Sequence, residues 1–225
     1  MTMQRVFDIF FSLIGIALLS PLLLPISMVL LFTGEGEVFF RQKRVGRNGS
    51  IFHIWKFATM LKNSPDIGPG TITLKDDPRI LPMGKFLRKS KMNELPQLLN
   101  VLFGEMSVIG PRPLTQETLA AYSEKNKSEI LGTLPGLSGI GSVVFRNEES
   151  LLVEEATSLF VYMNEIGPYK EKIEVWYVQH QTIATYFSMI FLTLWAVIFP
   201  KSALVWQRRT NLLLRLGHPL GCIPA

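Results

Sequence analysis

The sequence IFFSLIGIALLSPLLLPISMVLLFTG, residues 9–34, is apolar almost throughout. A straight helix needs roughly 20 apolar residues to cross the hydrocarbon core of a bilayer, so this stretch is long enough to enter a membrane. A secretory signal peptide is the alternative, but its apolar core has only roughly 7–15 residues and a small-x-small cleavage site follows it. This stretch is longer and lacks such a site, and it therefore predicts a helix that stays in the membrane.

Two prolines bear on how this helix meets the membrane. Ser20 and Pro21 lie near the middle of the stretch, and Pro25 follows one turn later. Each proline lacks a backbone donor and clashes with the carbonyl four residues earlier, so we expect a kink. The Ser20 hydroxyl can donate to a carbonyl that a proline leaves without its partner.

Basic residues flank the stretch on both sides, and such residues favour the cytoplasmic face of a membrane. A kinked helix that enters and leaves by one face satisfies both flanks, whereas a kinked single span satisfies only one of them. Composition alone leaves the two topologies open. The flanking residues are Arg5 on one side and Arg41, Lys43, Arg44 and Arg47 on the other.

The chain as a whole has the composition of a folded, basic protein. Of its 225 residues 48% are hydrophobic, which allows one domain with a buried core and excludes a disordered chain. The net charge of +5 suits nucleic acid, anionic lipid or a phosphorylated substrate. No nucleic-acid-binding motif is present, so nucleic acid is not an expected partner. The single cysteine, Cys222, excludes an internal disulfide and a cysteine-based zinc site.

The middle of the chain predicts a short hairpin followed by helices. VFFRQKRVG and SIFHIWKF are predicted strands on either side of RNGS, a turn signal. SPDIGPGTITLKDDPRI is predicted to be a loop, and LPMGKFLRKSKMNELPQLLNVLFGEM resumes helical periodicity before SVIGPRPLT interrupts it. The predicted fold class is α+β and mostly helical, with a membrane helix ahead of a globular domain that contains the hairpin.

The candidate site residues are charged side chains near these turns. No Walker A loop, dinucleotide fingerprint, HExxH, GxSxG or CxxC motif is present, which disfavours a conventional nucleotide fold or a triad hydrolase. Guanidinium groups near loops suit bidentate phosphate contacts, although any one of them taken singly is also explained as solvated surface charge. The candidates are the carboxylate Glu94 and the cations Lys56, Arg88, Arg112 and Arg146.

Three runs, in this order, resemble the bacterial sugar transferase family, whose members are small monotopic phosphoglycosyl transferases. They are FFRQKRVGRNGSIFHIWKFATM, DPRILPMGKFLRKSKMNELPQLLNVLFGEMSVIGPRP and LPGLSGIGSVVFRN. The resemblance extends from Arg5 to about Val197. Ser20 and Pro21 match the family's re-entrant membrane helix, which favours the topology that turns back.

The resemblance implies an activity and a location. It implies transfer of a sugar phosphate from a nucleoside-diphosphate sugar to a polyprenyl phosphate, with Mg²⁺ as cofactor, at the cytoplasmic face of the bacterial inner membrane. Lys56, Arg88, Arg112 and Arg146 would then bind phosphate groups, and a homodimer is possible. The implied domains are a re-entrant membrane helix at 1–34, a cytoplasmic catalytic domain at 35–181, and an interfacial helix with a basic amphipathic tail at 182–225.

One departure from the family falls at the catalytic position. The family has adjacent Asp and Glu before LPQLLNVL, where the Asp attacks the sugar-bearing phosphate and the Glu helps to hold the metal; here the pair is Asn93 and Glu94. An amide does not form a stable acyl phosphate in the usual way, and it is a weaker Mg²⁺ ligand than a carboxylate. Glu94 as nucleophile, direct attack by the acceptor phosphate, and a catalytically silent membrane partner all remain open. Asn93 is also a favourable residue to cap a helix.

Further departures lie downstream. Gly141 and Ser142 stand where the family often has other residues, Glu174 keeps a carboxylate where the family usually has Asp, and an acidic residue is replaced near Tyr186. The apolar segment 182–199 is at the threshold length for a span, but its threonines, Tyr186 and Trp195 favour an interfacial position. The tail WQRRTNLLLRLGHPLG predicts a basic amphipathic contact with anionic lipid.

Overall fold

The computed structural model describes residues 3–67, 73–74, 76–146, 160 and 162–199. The basic tail and Cys222 lie outside the described residues. The described chain is mostly helical and contains two small two-stranded sheets. This agrees with the predicted α+β class, and the predicted hairpin is confirmed.

The first helix, α1, runs from Met3 to Phe32 and includes both prolines. The Ser20 hydroxyl donates to the carbonyl of Ala17 at 2.9 Å, which is the carbonyl that the missing N–H of Pro21 would have bound. In the described part of the chain, α1 is the one helix long and apolar enough to cross a membrane. Most of its apolar side chains are exposed.

Both ends of α1 contact the globular part of the protein. Near its start, the Arg5 guanidinium donates to the carbonyls of Val101 and Leu102 at 2.5 and 2.7 Å. Near its end, Ile26 and Leu30 are buried in a cluster with Phe57 and Leu87. The helix is therefore attached to the rest of the chain at both ends.

The hairpin consists of β1, Phe39–Val45, and β2, Ile51–Phe57, paired antiparallel from Phe39 opposite Phe57 to Val45 opposite Ile51. Its turn is a single 3₁₀ turn in which Asn48 and Gly49 have φ of 57° and 77°, values that Asn and Gly adopt most readily. Side chains alternate between the two faces of a strand. The even-numbered residues are partly or fully buried, so that face of the hairpin points into the protein.

The predicted helical run after the loop is divided into three pieces. Helix α2 spans Pro82–Lys89, a 3₁₀ helix spans Met92–Gln97, and α3 spans Leu98–Phe103. Lys91 has φ of 60°, which breaks the α-helical path, and Pro96 cannot donate a backbone hydrogen bond within the 3₁₀ helix. The run with helical periodicity is therefore helical in three pieces, divided at Lys91 and Pro96.

Two long helices and several short elements complete the fold. Strand β3, Ser107–Ile109, pairs parallel with β4, Gly136–Ser138. The main core lies between β3 and three helices, Ile140–Val144, Gly167–Gln179 and Ile183–Ile198, with Ile173 and Tyr177 fully buried in it. Among the described residues the remaining α-helices are α4, Gln116–Leu119; α5, Glu124–Leu131; α6, Ile140–Val144; α7, Gly167–Gln179, which follows a π-helical turn at Tyr162–Ile166; and α8, Ile183–Ile198.

Helix α8 has two apolar faces with different surroundings. One face is buried in the core through Tyr186, Met189 and Leu192, while Phe191 and Leu194 on the other face are more than half exposed. Its 16 residues extend about 24 Å at the rise of an α-helix, short of a hydrocarbon core of roughly 30 Å.

Candidate active site

A cavity of about 180 Å³ lies between the hairpin, the 3₁₀ helix, α2, the loop after β3 and the start of α7. The charged residues of its described lining are cations with one exception. Glu94 is the one carboxylate among the described residues that line it, and Asn93 lies beside it. The cations of the cavity are Arg44, Lys56, Arg88, Lys91, Arg112 and Lys170.

Glu94 lies between two cations that come from different elements. Lys56, near the end of β2, places its Nζ 3.5 Å from Oε1 of Glu94. Arg112, in the loop after β3, places its Nη2 3.7 Å from the same oxygen. The side chains of Lys56 and Glu94 are only 17% and 21% exposed, so these charges are weakly screened by water.

The cations keep Glu94 ionised. Burial alone would raise the pKa of its carboxyl, but the charges of Lys56, Arg112 and Lys91 outweigh burial and hold the pKa at about 2. Burial lowers the pKa of Lys56 to about 7; the Glu94 carboxylate opposes this shift, while Arg44, Arg112 and Arg88 add to it. A further anion in the cavity would therefore favour the charged form of Lys56.

Asn93 does not cap a helix. It is the second residue of the 3₁₀ helix, whose N-cap is Lys91 and which has no capping hydrogen bond from a side chain. The predicted capping role is therefore wrong, because the left-handed Lys91 starts this turn two residues earlier. Asn93 is 5% exposed and lines the cavity, and its Oδ1 is buried without a hydrogen-bond partner. This oxygen is available to a ligand in the cavity.

Arg88 and Arg112 reach the cavity from different elements. Arg88 is in the last turn of α2, and its Nη1 lies 3.7 Å from Sδ of Met60. The Arg112 guanidinium reaches Ser142 Oγ at 3.5 Å as well as Glu94, and its backbone N–H donates to Oε1 of Glu174 at 3.2 Å. The loop that carries Arg112 is thus held by α6 and α7.

Glu174 and Gly141 depart from the family pattern and lie against each other. A Cβ at Gly141 would collide with Oε1 of Glu174, so glycine leaves the space that this carboxylate occupies. Burial raises the pKa of the Glu174 carboxyl to about 7, against the opposing effects of the Arg112 N–H and of the charges on Lys170 and Arg112. Glu174 is therefore a buried carboxylate next to the site.

Two of the residues singled out in the sequence lie elsewhere. Arg146, which follows α6, is not among the described residues that line the cavity; burial lowers the pKa of its guanidinium. The Tyr186 hydroxyl donates to Oδ1 of Asp8 at 2.8 Å, and the same oxygen accepts from Ser107 Oγ and Val108 N. Tyr186 therefore joins α8 to α1 and β3.

Sequence reasoning missed three cations of the cavity, Arg44, Lys91 and Lys170. Alternation along β1 could have found Arg44, since Phe40, Gln42 and Arg44 share the inward face and all line the cavity. Lys91 is close to Asn93 in sequence. Lys170 carries no local signal: it is 3% exposed on α7, with its Nζ 5.2 and 5.3 Å from the rings of Phe145 and Tyr162.

The cavity residues fit a magnesium ion that substrate phosphates help to hold. The described residues contain no group of three or more His, Cys, Asp or Glu that could hold a metal by themselves. Glu94 offers a carboxylate, and Asn93 offers an amide oxygen without a partner. Mg²⁺ usually binds through one or two carboxylates together with substrate phosphates and water, and this donor set is compatible with that arrangement.

Comparison with known proteins agrees with the resemblance. The family model described as "Bacterial sugar transferase" matches residues 1–200. Exopolysaccharide production protein ExoY of Sinorhizobium fredii is 35% identical over 161 residues, which cover 65% of this chain and 71% of that protein. The UDP-glucose:undecaprenyl-phosphate glucose-1-phosphate transferase of Klebsiella pneumoniae is 33% identical over 211 residues, 90% of this chain and 42% of that protein.

A third relative has a similar name. The putative undecaprenyl-phosphate N-acetylgalactosaminyl 1-phosphate transferase of Bacillus subtilis is 37% identical over 132 residues, 59% of this chain and 71% of that protein. The family match covers most of the chain, including every described residue that lines the cavity. The chain belongs to the bacterial sugar transferase family.

Proposed function

We propose that this protein transfers a sugar-1-phosphate from a nucleoside-diphosphate sugar to a polyprenyl phosphate. The reaction would start a lipid-linked glycan, such as an exopolysaccharide, a capsule, an O-antigen or the glycan of a glycoprotein. Membership of the family makes the chain a phosphoglycosyl transferase by class. The donor, the acceptor and the pathway are our proposal, and the names of the relatives support them.

The observation that carries the proposal is the cavity in which several cations surround one ionised carboxylate. Donor and acceptor both carry phosphate groups, so bringing them together gathers negative charge. Cations already in place, in a partly buried site, stabilise that charge without reorganisation during the reaction. Arg88 and Arg112 can bind phosphate oxygens in pairs through their guanidinium groups.

The transfer breaks one bond of the diphosphate. An oxygen attacks the phosphorus that bears the sugar, the bond from that phosphorus to the bridging oxygen breaks, and nucleoside monophosphate leaves with the bridging oxygen. The attacking oxygen belongs either to the acceptor phosphate or to Glu94. If it belongs to Glu94, an acyl phosphate forms and the acceptor phosphate then displaces the carboxylate. Asn93 does not supply a carboxylate for either route.

Mg²⁺ is the proposed cofactor. Glu94 and the Asn93 Oδ1 would hold it together with phosphate oxygens of the substrate, since Glu94 is the carboxylate among the described lining residues and the neighbouring Asn93 Oδ1 is buried without a partner. When bound, it would supply charge neutralisation at the diphosphate oxygens. Lys56 and Arg112 would keep Glu94 in place beside it.

We propose that α1 enters and leaves the membrane by the cytoplasmic face. A straight helix of 30 residues is about 45 Å long, and a span would place its ends on opposite sides of the bilayer. The contacts of Arg5 at one end and of Ile26 and Leu30 at the other end are with the same globular part of the chain. The exposed apolar face of α8 would then lie at the membrane surface. A homodimer remains a prediction.

The second candidate function is that of a catalytically silent membrane partner, which binds polyprenyl phosphate or docks an active transferase. The observation that favours it is Asn93, an amide at the position where the family has its attacking carboxylate. Binding of polyprenyl phosphate is expected of the enzyme and of a silent partner that binds this lipid. Release of nucleoside monophosphate is the measurement that distinguishes the enzyme from the silent partner.

The deciding experiment uses the full chain in detergent or nanodiscs with undecaprenyl phosphate, Mg²⁺ and a panel of nucleoside-diphosphate sugars. Release of nucleoside monophosphate that depends on both the acceptor and one donor is the expected result. A chain that binds polyprenyl phosphate but releases no monophosphate with any donor would support the silent partner instead.

A further inference from the structure

Arg112 is held through its side chain by Glu94 and Ser142 and through its backbone by Glu174. Its guanidinium reaches Glu94 Oε1 at 3.7 Å and Ser142 Oγ at 3.5 Å, while its backbone N–H donates to Oε1 of Glu174 at 3.2 Å. Glu174 is on α7 and is not among the described residues that line the cavity. Arg112 therefore connects Glu174 on α7, through its backbone N–H, with Glu94 in the cavity, through its guanidinium.

Glu174 is an unfavourable residue for a purely structural role. It is 2% exposed, and its Oε2 is buried without a hydrogen-bond partner. Burying a carboxylate with so few donors has a cost in free energy, which the charges of Lys170 and Arg112 only partly offset. Nearby, Glu171 on the same helix has the more usual arrangement: it accepts from both the N–H and the hydroxyl of Ser123.

The surrounding chain is shaped to keep Glu174 where it is. Any side chain at Gly141 would collide with Oε1 of Glu174. The next residue, Ser142, supplies the hydroxyl next to the Arg112 guanidinium. Helix α6 thus has a glycine, Gly141, where the Glu174 carboxylate needs space. Its next residue, Ser142, contacts the guanidinium of Arg112.

We propose that Glu174 is a positioning residue for anion recognition: it holds the peptide of Arg112 so that the guanidinium lies over Glu94 and can bind a substrate phosphate. Glu174 acts through Arg112 and does not touch the substrate. The inference rests on the proposed function only for the identity of the anion, a phosphate of the nucleoside-diphosphate sugar.

The test measures binding rather than turnover. Inorganic diphosphate is titrated calorimetrically into the full chain in detergent, without a sugar donor or acceptor. Glu174→Leu removes the acceptor for the Arg112 N–H, and the Kd for diphosphate is expected to rise about tenfold, the scale of one charge-assisted hydrogen bond. Glu174→Gln keeps a carbonyl acceptor and is expected to change the Kd less than threefold.

A double-mutant cycle tests whether Glu174 acts through Arg112. Arg112→Gln weakens binding by itself, and adding Glu174→Leu to it is expected to produce no further change in Kd. Additive effects of the two substitutions would overturn the proposal, since they would mean that Glu174 affects the site by another route. Unchanged affinity in Glu174→Leu alone, or a wild-type chain that does not bind diphosphate, would overturn it as well.

Glu171→Leu is the matched control, because it removes a buried carboxylate from the same helix that also holds a backbone N–H. It is expected to lower stability and to leave the diphosphate Kd within twofold of the wild-type value. If Glu174→Leu does not fold, Gly141→Ala replaces it in the double-mutant cycle. The added methyl group at Gly141 displaces Oε1 of Glu174, which accepts from the Arg112 N–H. A non-additive cycle in a chain that releases no nucleoside monophosphate would sustain this inference and reject the proposed function.

Discussion

Single residues set the charge of the site. Glu94 is ionised because cations from β2 and from the loop after β3 lie against it, and Asn93 lies beside it with a buried oxygen that has no partner. The two neighbours are therefore not equivalent. Glu94 supplies the negative charge and can act as a nucleophile or a metal ligand, whereas Asn93 supplies only a neutral oxygen.

This difference predicts unequal effects on turnover. Glu94→Gln removes the one described carboxylate of the cavity, and we expect nucleoside monophosphate release to fall at least about 10²-fold, the scale of losing one catalytic group. Asn93→Ala is expected to leave measurable turnover, because it removes a neutral ligand. Release is followed with saturating donor, acceptor and Mg²⁺. Equal losses in the two variants would contradict the assignment of the charged role to Glu94 alone.

Glu174 predicts a pH dependence of stability. The pKa of its carboxyl is about 7 in the folded protein against an ordinary 4.5, so the folded state binds this proton more tightly than the unfolded state does. Its contribution to stability is therefore full below about pH 4.5 and is lost as the pH rises to about 7. The change amounts to about 3 kcal/mol. Glu174→Gln is expected to remove this part of the pH dependence.

The measurement is the free energy of unfolding, or the Tm, of both proteins in detergent at pH 5 and pH 8. Other groups that titrate in this range, such as Lys56 with its lowered pKa, contribute in both proteins and cancel in the comparison. The wild type should lose more stability than the variant between the two pH values. The same loss in both would show that Glu174 does not titrate in this way.

At the scale of elements, the path of α1 through the membrane decides the topology of the protein. The Ser20 hydroxyl replaces the hydrogen bond that Pro21 cannot make to Ala17, and both ends of the helix contact the globular part. A helix attached in this way leaves its apolar middle to lie in lipid. Its two ends are then expected on the same side of the membrane.

Labelling of introduced cysteines tests this topology. Met3→Cys and Glu37→Cys, at exposed positions on either side of the apolar stretch, are made separately in a Cys222→Ser background. In inverted inner-membrane vesicles, a membrane-impermeant maleimide is expected to label both. Labelling of one position in inverted vesicles and of the other only in intact spheroplasts would mean that α1 spans the bilayer. A cysteine placed in the buried position Leu87 should remain unlabelled throughout.

At the scale of the whole molecule, a buried polar contact joins the two apolar helices. Asp8 of α1 is 1% exposed and accepts hydrogen bonds at one oxygen from Tyr186 of α8 and from Ser107 and Val108 of β3. These residues are far apart in the sequence, so the contact holds distant segments of the chain together. It also holds α8 against the core with its other apolar face exposed.

Removing the Tyr186 hydroxyl from this contact should lower the free energy of unfolding. Tyr186→Phe deletes the donor at 2.8 Å to Asp8, and we expect the free energy of unfolding to fall by about 1.5–3 kcal/mol, the range for hydrogen bonds to charged groups. Tyr177→Phe is the control, because its hydroxyl is also buried but lies 3.4 Å from the neutral carbonyl of Ile109. Denaturant or thermal unfolding in detergent measures both. A smaller loss in Tyr186→Phe than in the control would contradict the role of Asp8.

The sequence by itself determined the features that depend on neighbours in the chain. The run of apolar residues determined the membrane helix, Ser20 and Pro21 determined the local hydrogen bond to Ala17, and the Asn-Gly turn determined the hairpin. Each is a short-range preference of the backbone or a repeat with the period of its element. A local preference failed at Asn93, which does not cap a helix because the left-handed Lys91 starts the 3₁₀ helix two residues earlier.

Only the tertiary structure decided which charges share the site. Arg44, Lys56, Arg112 and Lys170 come from four separate segments, and folding brings them to one cavity while Arg146 does not line it. Glu174 had a recognisable position in the sequence, but its contact with the Arg112 peptide depends on the space left by Gly141. Such contacts arise from the packing of elements distant in sequence, which local spacing does not encode, and their low-dielectric surroundings then set the charges of Glu94 and Lys56.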